Sequence, residues 1–385
     1  VQNAMVDCGG TQCGYCTPGF VVCMTAGLMA PQVPLNDEGA LYAISGNLCR
    51  CTGYRSIKNA GIQAIESLRD QLSNKERIEA LVEAKALPNF FLGIAERLKA
   101  IKPDEILQNE LNDRGSTIMA GGTDLYVQRG EQLAESPIVL LNNGSEIPSA
   151  RSSNGRVIID ARMTFEAFAN DPLIKAHLQE IYDYNLLMAS WPIRTRSTIG
   201  GNLCNASPIA DMTCLLLALE CSLLLTSSDG HRRELPLSEF YLGYKQLNKE
   251  PDEVVTEISF AVFSENIYFN WEKVSKRAWL DIATVNAACK FVVQDNHFAR
   301  ASMALGGVSA TPLYLKEASA FLNGKPILMD TVLDCLSVAQ SEFKPIGDVR
   351  GSAHYKRLLA RQLLLANFVK LFPESIDQEA LYAAL

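Results

Sequence analysis

The sequence predicts a multidomain α+β protein, on three observations. The chain has 385 residues, beyond the size at which one hydrophobic core keeps growing. Its first 73 residues carry a helical apolar period broken by Gly and Pro, whereas from about residue 117 short alternating runs appear, the period of strands. Six of the eleven cysteines lie in the first 51 residues. This sets the helical part apart chemically as well.

The elements follow in order. Pro18 opens a helix at a position where Pro is tolerated, and Phe20 to Met24 begin its apolar face. Pro31 and Pro34 end it. Asn36 caps a second helix with Asp37 and Glu38 in its first turn, where the dipole favours anions, and Gly46 closes that helix. A third should run from about 56 to 72. Residues 74–103 are charged, with Lys75-Glu76-Arg77 and Glu96-Arg97-Leu98-Lys99 as solvated faces, and read as a linker. Strands are expected at 116–120, 137–141, 156–160, 221–226 and 253–261, with helices at 164–170 and 172–190. A further α+β unit should carry strands at 270–275, 284–294 and 298–305, then helices at 318–322, 330–342 and 352–371. The domain organisation is therefore 1–73, a linker at 74–103, 104–262 and 263–385.

Composition excludes several classes. The net charge is −8, which disfavours nucleic acid, since phosphate contacts need clustered Lys and Arg. No apolar run reaches the roughly 18 residues of a membrane span; the longest, at 215–219, is short. No secretory signal is visible, and an odd cysteine count in a large chain does not fit a disulfide framework. Cytoplasm is the expected compartment. Cys204, Cys214, Cys221, Cys289 and Cys335 sit in apolar contexts and read as buried thiols. With four histidines, none near another candidate group, hydrolytic catalysis has no support. Residue 1 is Val, and the text reads as a piece of a longer chain.

The strongest local signal is Cys13-Gly14-Tyr15-Cys16 followed, after 32 intervening residues, by Cys49-Arg50-Cys51. Four thiolates from two loops suit a [2Fe-2S] cluster, with Gly14, Gly46 and Gly53 allowing close backbone approach. Structural zinc is a rival, although its ribbons usually use two C-x-x-C knuckles. A thioredoxin-type dithiol is another, although that motif normally follows a strand. Cys8 and Cys23 fall outside the pattern. A second signal is the pair of glycine turns. Gly121-Gly122-Thr123-Asp124 follows a strand and can offer N–H groups to a diphosphate; it is not G-x-G-x-x-G, so the dinucleotide fingerprint does not apply. Thr198-Ile199-Gly200-Gly201-Asn202 is followed by Asp211, and these hydroxyl, amide and carboxylate groups suit phosphate, ribitol and ribose. Asp211 could equally cap the helix after it.

These segments resemble a known family. Thr11–Gly19 and Gly46–Arg55 closely resemble the helical [2Fe-2S] domain of xanthine dehydrogenases, molybdenum hydroxylases. The glycine turns resemble the FAD domain of that family, of vanillyl-alcohol-oxidase (PCMH) type. The stretches from Lys273 to Ala283 and from Asp348 to Tyr355 resemble its CO-dehydrogenase-flavoprotein-like C-terminal domain. The resemblance implies cluster ligands Cys13, Cys16, Cys49 and Cys51. It implies FAD contacts at Gly121, Gly122, Thr123, Asp124, Thr198, Gly201, Asn202 and Asp211, with Lys273 reaching the isoalloxazine unless it is a surface strand lysine. It also implies a molybdopterin-binding large subunit as partner in a hetero-oligomer. Electrons from purine oxidation would then pass through the cluster to FAD and on to NAD⁺ or oxygen, with the hydroxylation itself on the partner. Two departures stand out: the family's N-terminal ferredoxin-like domain is missing upstream, and the first strand and helix of the FAD domain look shortened between residues 102 and 115. The rivals are the equivalent subunit of an aldehyde or other heterocycle hydroxylase, and a standalone flavin oxidase with a zinc-bound helical domain.

Overall fold

The computed structural model describes residues 1–101, 116–142, 146 and 149–376; the expected shortening at 102–115 lies outside them. Two compact units emerge. One is Val1–Asp104 together with Ser190–Pro192; the other is Glu105–Ala189 with Ile193–Leu385.

The first unit is helical: α1 (Gln2–Asp7), α2 (Thr17–Met29), α3 (Asp37–Ile44), α4 (Arg55–Glu66), α5 (Arg69–Asn74), α6 (Arg77–Glu83) and α7 (Ile94–Lys99). α2 starts one residue after Cys16, with Pro18 in its first turn. The Asn36 side chain accepts from the Gly39 N–H at 3.0 Å and so caps α3 as expected. On α4, Ile57, Ala60, Gly61, Ala64 and Ile65 share one buried face at the 3.6-residue period. The helix expected to run to residue 72 breaks at 67–68, where α4 gives way to α5.

The stretch expected to be a linker is folded in its first half. Ala80, Leu81 and Val82 of α6 pack into one core with Leu28, Ile65 and Leu72. The Arg77 guanidinium donates to the carbonyls of Gly27, Ala30, Pro31 and Val33. A helix leaves its last carbonyls without intrahelical partners; Arg77 satisfies that of Gly27 in α2 and those of its C-cap Ala30 and the turn after it.

In the second unit β1 (Thr117–Met119) pairs in parallel with β2 (Ile138–Leu140) across α8 (Leu125–Leu133). Next come β3 (Arg151–Ser153), β4 (Arg156–Asp160), α9 (Phe165–Asn170), α10 (Pro172–His177), α11 (Ile181–Leu186), α12 (Trp191–Arg194), α13 (Ile199–Asn205) and α14 (Asp211–Ala218). They are followed by β5 (Ser222–Thr226), β6 (Arg232–Pro236), β7 (Tyr241–Gly243), β8 (Gln246–Leu247) and β9 (Val254–Ala261). An antiparallel sheet runs β3-β4-β9-β5-β6, with Ile159 and Leu223 flanking Ile258. A second runs β10 (Ile267–Val274), β11 (Val285–Gln294), β12 (His297–Gly306) and β13 (Leu313–Tyr314), covered by α15 (Lys316–Leu322), α16 (Met329–Glu342) and α17 (Ala353–Leu371).

The regions 104–262 and 263–385 keep their own sheets but share a core. Trp271, Ala288 and Ala304 belong to the cluster built around Val157, Ile159, Leu215 and Ile258. The opposite face, with Ala287, Cys289 and Phe291, packs with Phe343 and Phe368. β11 is buried on both faces, so its sequence reads as a nearly continuous apolar run instead of an alternation.

Candidate functional site

Two loops bring the N-terminal cysteines together. Cys13 and Cys16 bracket a turn in which Gly14 has φ +83°, a backbone state that favours glycine. Thr11 and Thr17 hydroxyls, 3.1 Å apart, tie this turn together. The other pair lies between α3 and α4. Cys51 approaches Cys13 with sulfurs 3.5 Å apart, and Cys16 and Cys49 share a side-chain hydrogen bond. Cys49 is the most supported: its Sγ contacts the Thr52 hydroxyl at 3.2 Å and accepts from the N–H groups of Cys51 and Thr52, both at 3.4 Å. Those hydrogen bonds, led by Thr52, hold the Cys49 thiol down to about 7, because donors aimed at sulfur favour thiolate. Cys13 is also lowered, first by the Tyr15 backbone N–H. Burial raises Cys16, and donation to Cys13 raises Cys51.

This donor set fits an iron–sulfur cluster: four sulfurs from two loops, meeting in pairs, with backbone and hydroxyl donors on one of them. Among the described residues no three His, Cys, Asp or Glu side chains surround a single metal ion; the four sulfurs meet as the pairs 13/51 and 16/49. Cys8 donates instead to Gln63 at 2.9 Å, and Cys23 lies within α2. Gly46 departs from its expected use. An added Cβ there would lie 2.9 Å from Ser190 Oγ, so the glycine admits a neighbouring side chain.

The two glycine turns, 74 residues apart in sequence, meet. Thr123 and Ser197 hydroxyls lie 2.9 Å apart. A Cβ on Gly121 would fall 1.9 Å from the Arg196 carbonyl oxygen, so glycine there is required by the neighbouring turn. Gly122 has φ +71° and packs beneath the Tyr126 ring. Asp124 accepts from Gln128 at 3.1 Å and from the Asn205 amide. In the second turn the Thr198 hydroxyl caps α13 by accepting from Gly201 N–H at 3.1 Å. Ile199 and Gly200 donate to the carbonyls of Met163 and Ala161. Asn202 Oδ1 accepts from Thr213 at 3.0 Å. These groups already serve the fold.

Asp211 and Lys273 pair with each other at 2.6 Å, their side chains 13% and 1% exposed. Lys273 also donates to the Leu187 and Asp281 carbonyls at 2.8 and 2.9 Å. It is therefore a buried lysine, not a surface one, and it donates to three acceptors. Asp211 begins α14 without capping it; its second oxygen accepts from Asn286 at 2.6 Å. Burial pushes its carboxyl up, opposed by Lys273 and Asn286.

The comparisons with known proteins match these parts in chain order. Residues 1–62 match a [2Fe-2S] binding domain, 97–261 the FAD binding domain in molybdopterin dehydrogenase, and 272–371 the CO dehydrogenase flavoprotein C-terminal domain. The three matches, in this order, make the chain similar to the iron–sulfur and flavin parts of molybdenum hydroxylases. Xanthine dehydrogenase 1 of Arabidopsis thaliana is 25% identical over 97% of this chain, which spans 32% of that protein. Against the nicotinate dehydrogenase FAD-subunit of Eubacterium barkeri the identity is 28%, over 73% of this chain and 95% of the relative. A solved carbon monoxide dehydrogenase chain from Hydrogenophaga pseudoflava superposes with a TM-score of 0.64 at 26% identity, covering 68% of this chain and 91% of that one. The two sites also use residues that the sequence alone does not single out. Tyr54 Oη accepts from the Cys49 N–H at 3.1 Å, Thr52 supports the Cys49 sulfur, and Asn286 holds Asp211. The C-x-C-T-G-Y run contained the first two; nothing local signalled Asn286, which lies 75 residues from its partner.

Proposed function

We propose that this chain is the iron–sulfur and FAD electron-transfer component of a xanthine dehydrogenase-type molybdenum hydroxylase. Cys13, Cys16, Cys49 and Cys51 would hold a [2Fe-2S] cluster. The joined turns at 121–124 and 197–202 would hold FAD in a domain of vanillyl-alcohol-oxidase type, a reading that fits the separate parallel β1–β2 pair beside the larger antiparallel sheet. When bound, the cluster supplies one-electron and the flavin one- or two-electron chemistry, linking a molybdopterin partner to NAD⁺. The chain's own part is to fix the thiolates, to keep Asp211 and Lys273 mutually neutralised beside the flavin turns, and to join those turns rigidly. The proposal includes a molybdopterin-binding large subunit, a hetero-oligomer and a cytoplasmic location. The observation that carries it is the meeting of two cysteine pairs from separate loops, Cys13 reaching Cys51 across 38 positions, in a chain that also matches the FAD binding domain in molybdopterin dehydrogenase.

The deciding experiment is purification of the intact complex from its source with metal and flavin analysis. Two irons and one FAD per chain, with molybdenum in a co-purifying larger chain and NADH formed on adding xanthine, is the expected outcome. Flavin bands with one zinc per chain, or iron without a molybdenum-bearing partner, would sink it. A second reading, a hydroxylase of another N-heterocycle, is favoured by the near-complete coverage of the nicotinate dehydrogenase subunit; flavin bleaching by nicotinate and not by xanthine would establish it.

A further inference from the structure

The helical unit contains three residues from far along the chain, Ser190–Pro192. Their partners lie at the entrance of the second cysteine loop. Gly46 faces Ser190 so closely that an added Cβ would sit 2.9 Å from Ser190 Oγ, 3.1 Å from its Cβ and 3.3 Å from Pro192 Cδ. The Trp191 ring lies 5.6 Å from that of Tyr42 on α3, tilted by 38°. Ser190 is almost fully buried. On the other side of the loop, Asn47 packs over Gly19 of α2, where a Cβ would lie 3.2 Å from its Nδ2. Residues 46–47 are thus gripped between the start of α2, which follows Cys16, and the Ser190–Pro192 segment, two residues before Cys49.

The joint is also polar inside. Ser45 Oγ, Asn47 Oδ1 and Trp191 Nε1 are buried with no hydrogen-bond partner. Buried polar atoms are nearly always paired, and each exception asks for a reason. Plain packing would be served better by apolar groups at these positions.

We infer that Ser190–Trp191–Pro192 is a positioning element of the cysteine site, clamping residues 46–47 so that Cys49 and Cys51 meet Cys13 and Cys16 in cluster-binding register. The inference rests on the proposed cluster. Nothing in the cysteine spacing announces it, because the clamp is supplied from about 140 residues downstream of the loop it holds.

The test uses the full chain with its partners. Gly46→Ala pushes a methyl into Ser190 and should broaden or shift the cluster's electron paramagnetic resonance signal, move its reduction potential and lower iron per chain at least twofold, with FAD content unchanged. Ser190→Gly in that background removes the opposing Oγ and Cβ and should restore the wild-type signal and iron. Trp191→Phe, which keeps the ring contact with Tyr42, should shift the signal less than Gly46→Ala. A Gly46→Ala protein with wild-type signal, potential and iron content overturns the clamp, as does failure of Ser190→Gly to restore them. Loss of the signal in Cys49→Ser keeps these outcomes separate from the cluster assignment: if the wild-type chain carries no iron, it is that assignment which fails.

Discussion

The cysteine loops and the flavin turns differ in what folding leaves for a ligand to complete. In the loops, Cys13 and Cys51 stay exposed, and each has the other's sulfur as a partner at 3.5 Å. The Cys49 thiol is already drawn toward the charged form. Around the turns, Asp211, Lys273 and Asn286 complete one another, Thr198 caps a helix, and Asn202 serves Thr213. One region keeps sulfurs at the surface and in contact with each other. The other closes its polar groups on itself. The lesson is that the proposed cluster site is read from a set of like donors, whereas the proposed flavin site is read from the backbone shape of two turns.

The sharpest break in that contrast is Cys49→Ser. Iron per chain should fall by tenfold or more and the ferric–sulfide absorption should vanish while FAD content holds; retention of iron would show that the loops are not the metal site. In the other region, Lys273→Met leaves a buried carboxylate without its cation, which costs roughly 3–5 kcal/mol, read as a lower urea midpoint. The added Asp211→Leu change should return most of that, because the pair owes little to its net strength; no recovery would mean that Lys273 matters through its two carbonyl contacts. Gly121→Ala forces a methyl against the Arg196 carbonyl. Overpacking of that kind costs about 1–3 kcal/mol, so FAD affinity measured by fluorescence should weaken about tenfold while iron content stays. Unchanged FAD affinity would separate the turns from the flavin.

The smallest effect concerns acid. Burial lowers the pKa of His177, whose Nδ1 accepts from the Phe263 N–H at 3.2 Å. A histidine depressed in the folded state is protonated more readily once unfolded, so its contribution is lost as pH falls through about 6.5. All four histidines lie beyond residue 176. Melting of the sheet-bearing unit should therefore drop between pH 7 and 5.5, and His177→Gln should flatten that drop. An equal slope in the variant would remove His177 from the account.

Legibility followed the same division. The Asn36 cap, Pro18 in the first turn of α2 and the approach of the four cysteines are readable, because the first two act within a few residues and the cysteines form two close-spaced pairs. Lys273 was not, since its three acceptors come from positions 187, 211 and 281. Arg77 sits in a charged run that suggests a solvated face, yet its guanidinium turns to the end of α2. β3 and β6 escaped notice because exposed Arg and Ser residues hide the strand period. The break between α4 and α5 had no Gly or Pro to mark it.

The borrowed Ser190–Pro192 piece has a consequence for biosynthesis. Residues 1–101 leave the ribosome before residues 190–192, so the surface that seats Gly46 and Tyr42 stays incomplete until residue 192 has been made. At about 5–20 residues per second, that delay is roughly 5–20 s. During it the nascent thiols sit on a half-built surface, and final closure waits for the later chain to arrive.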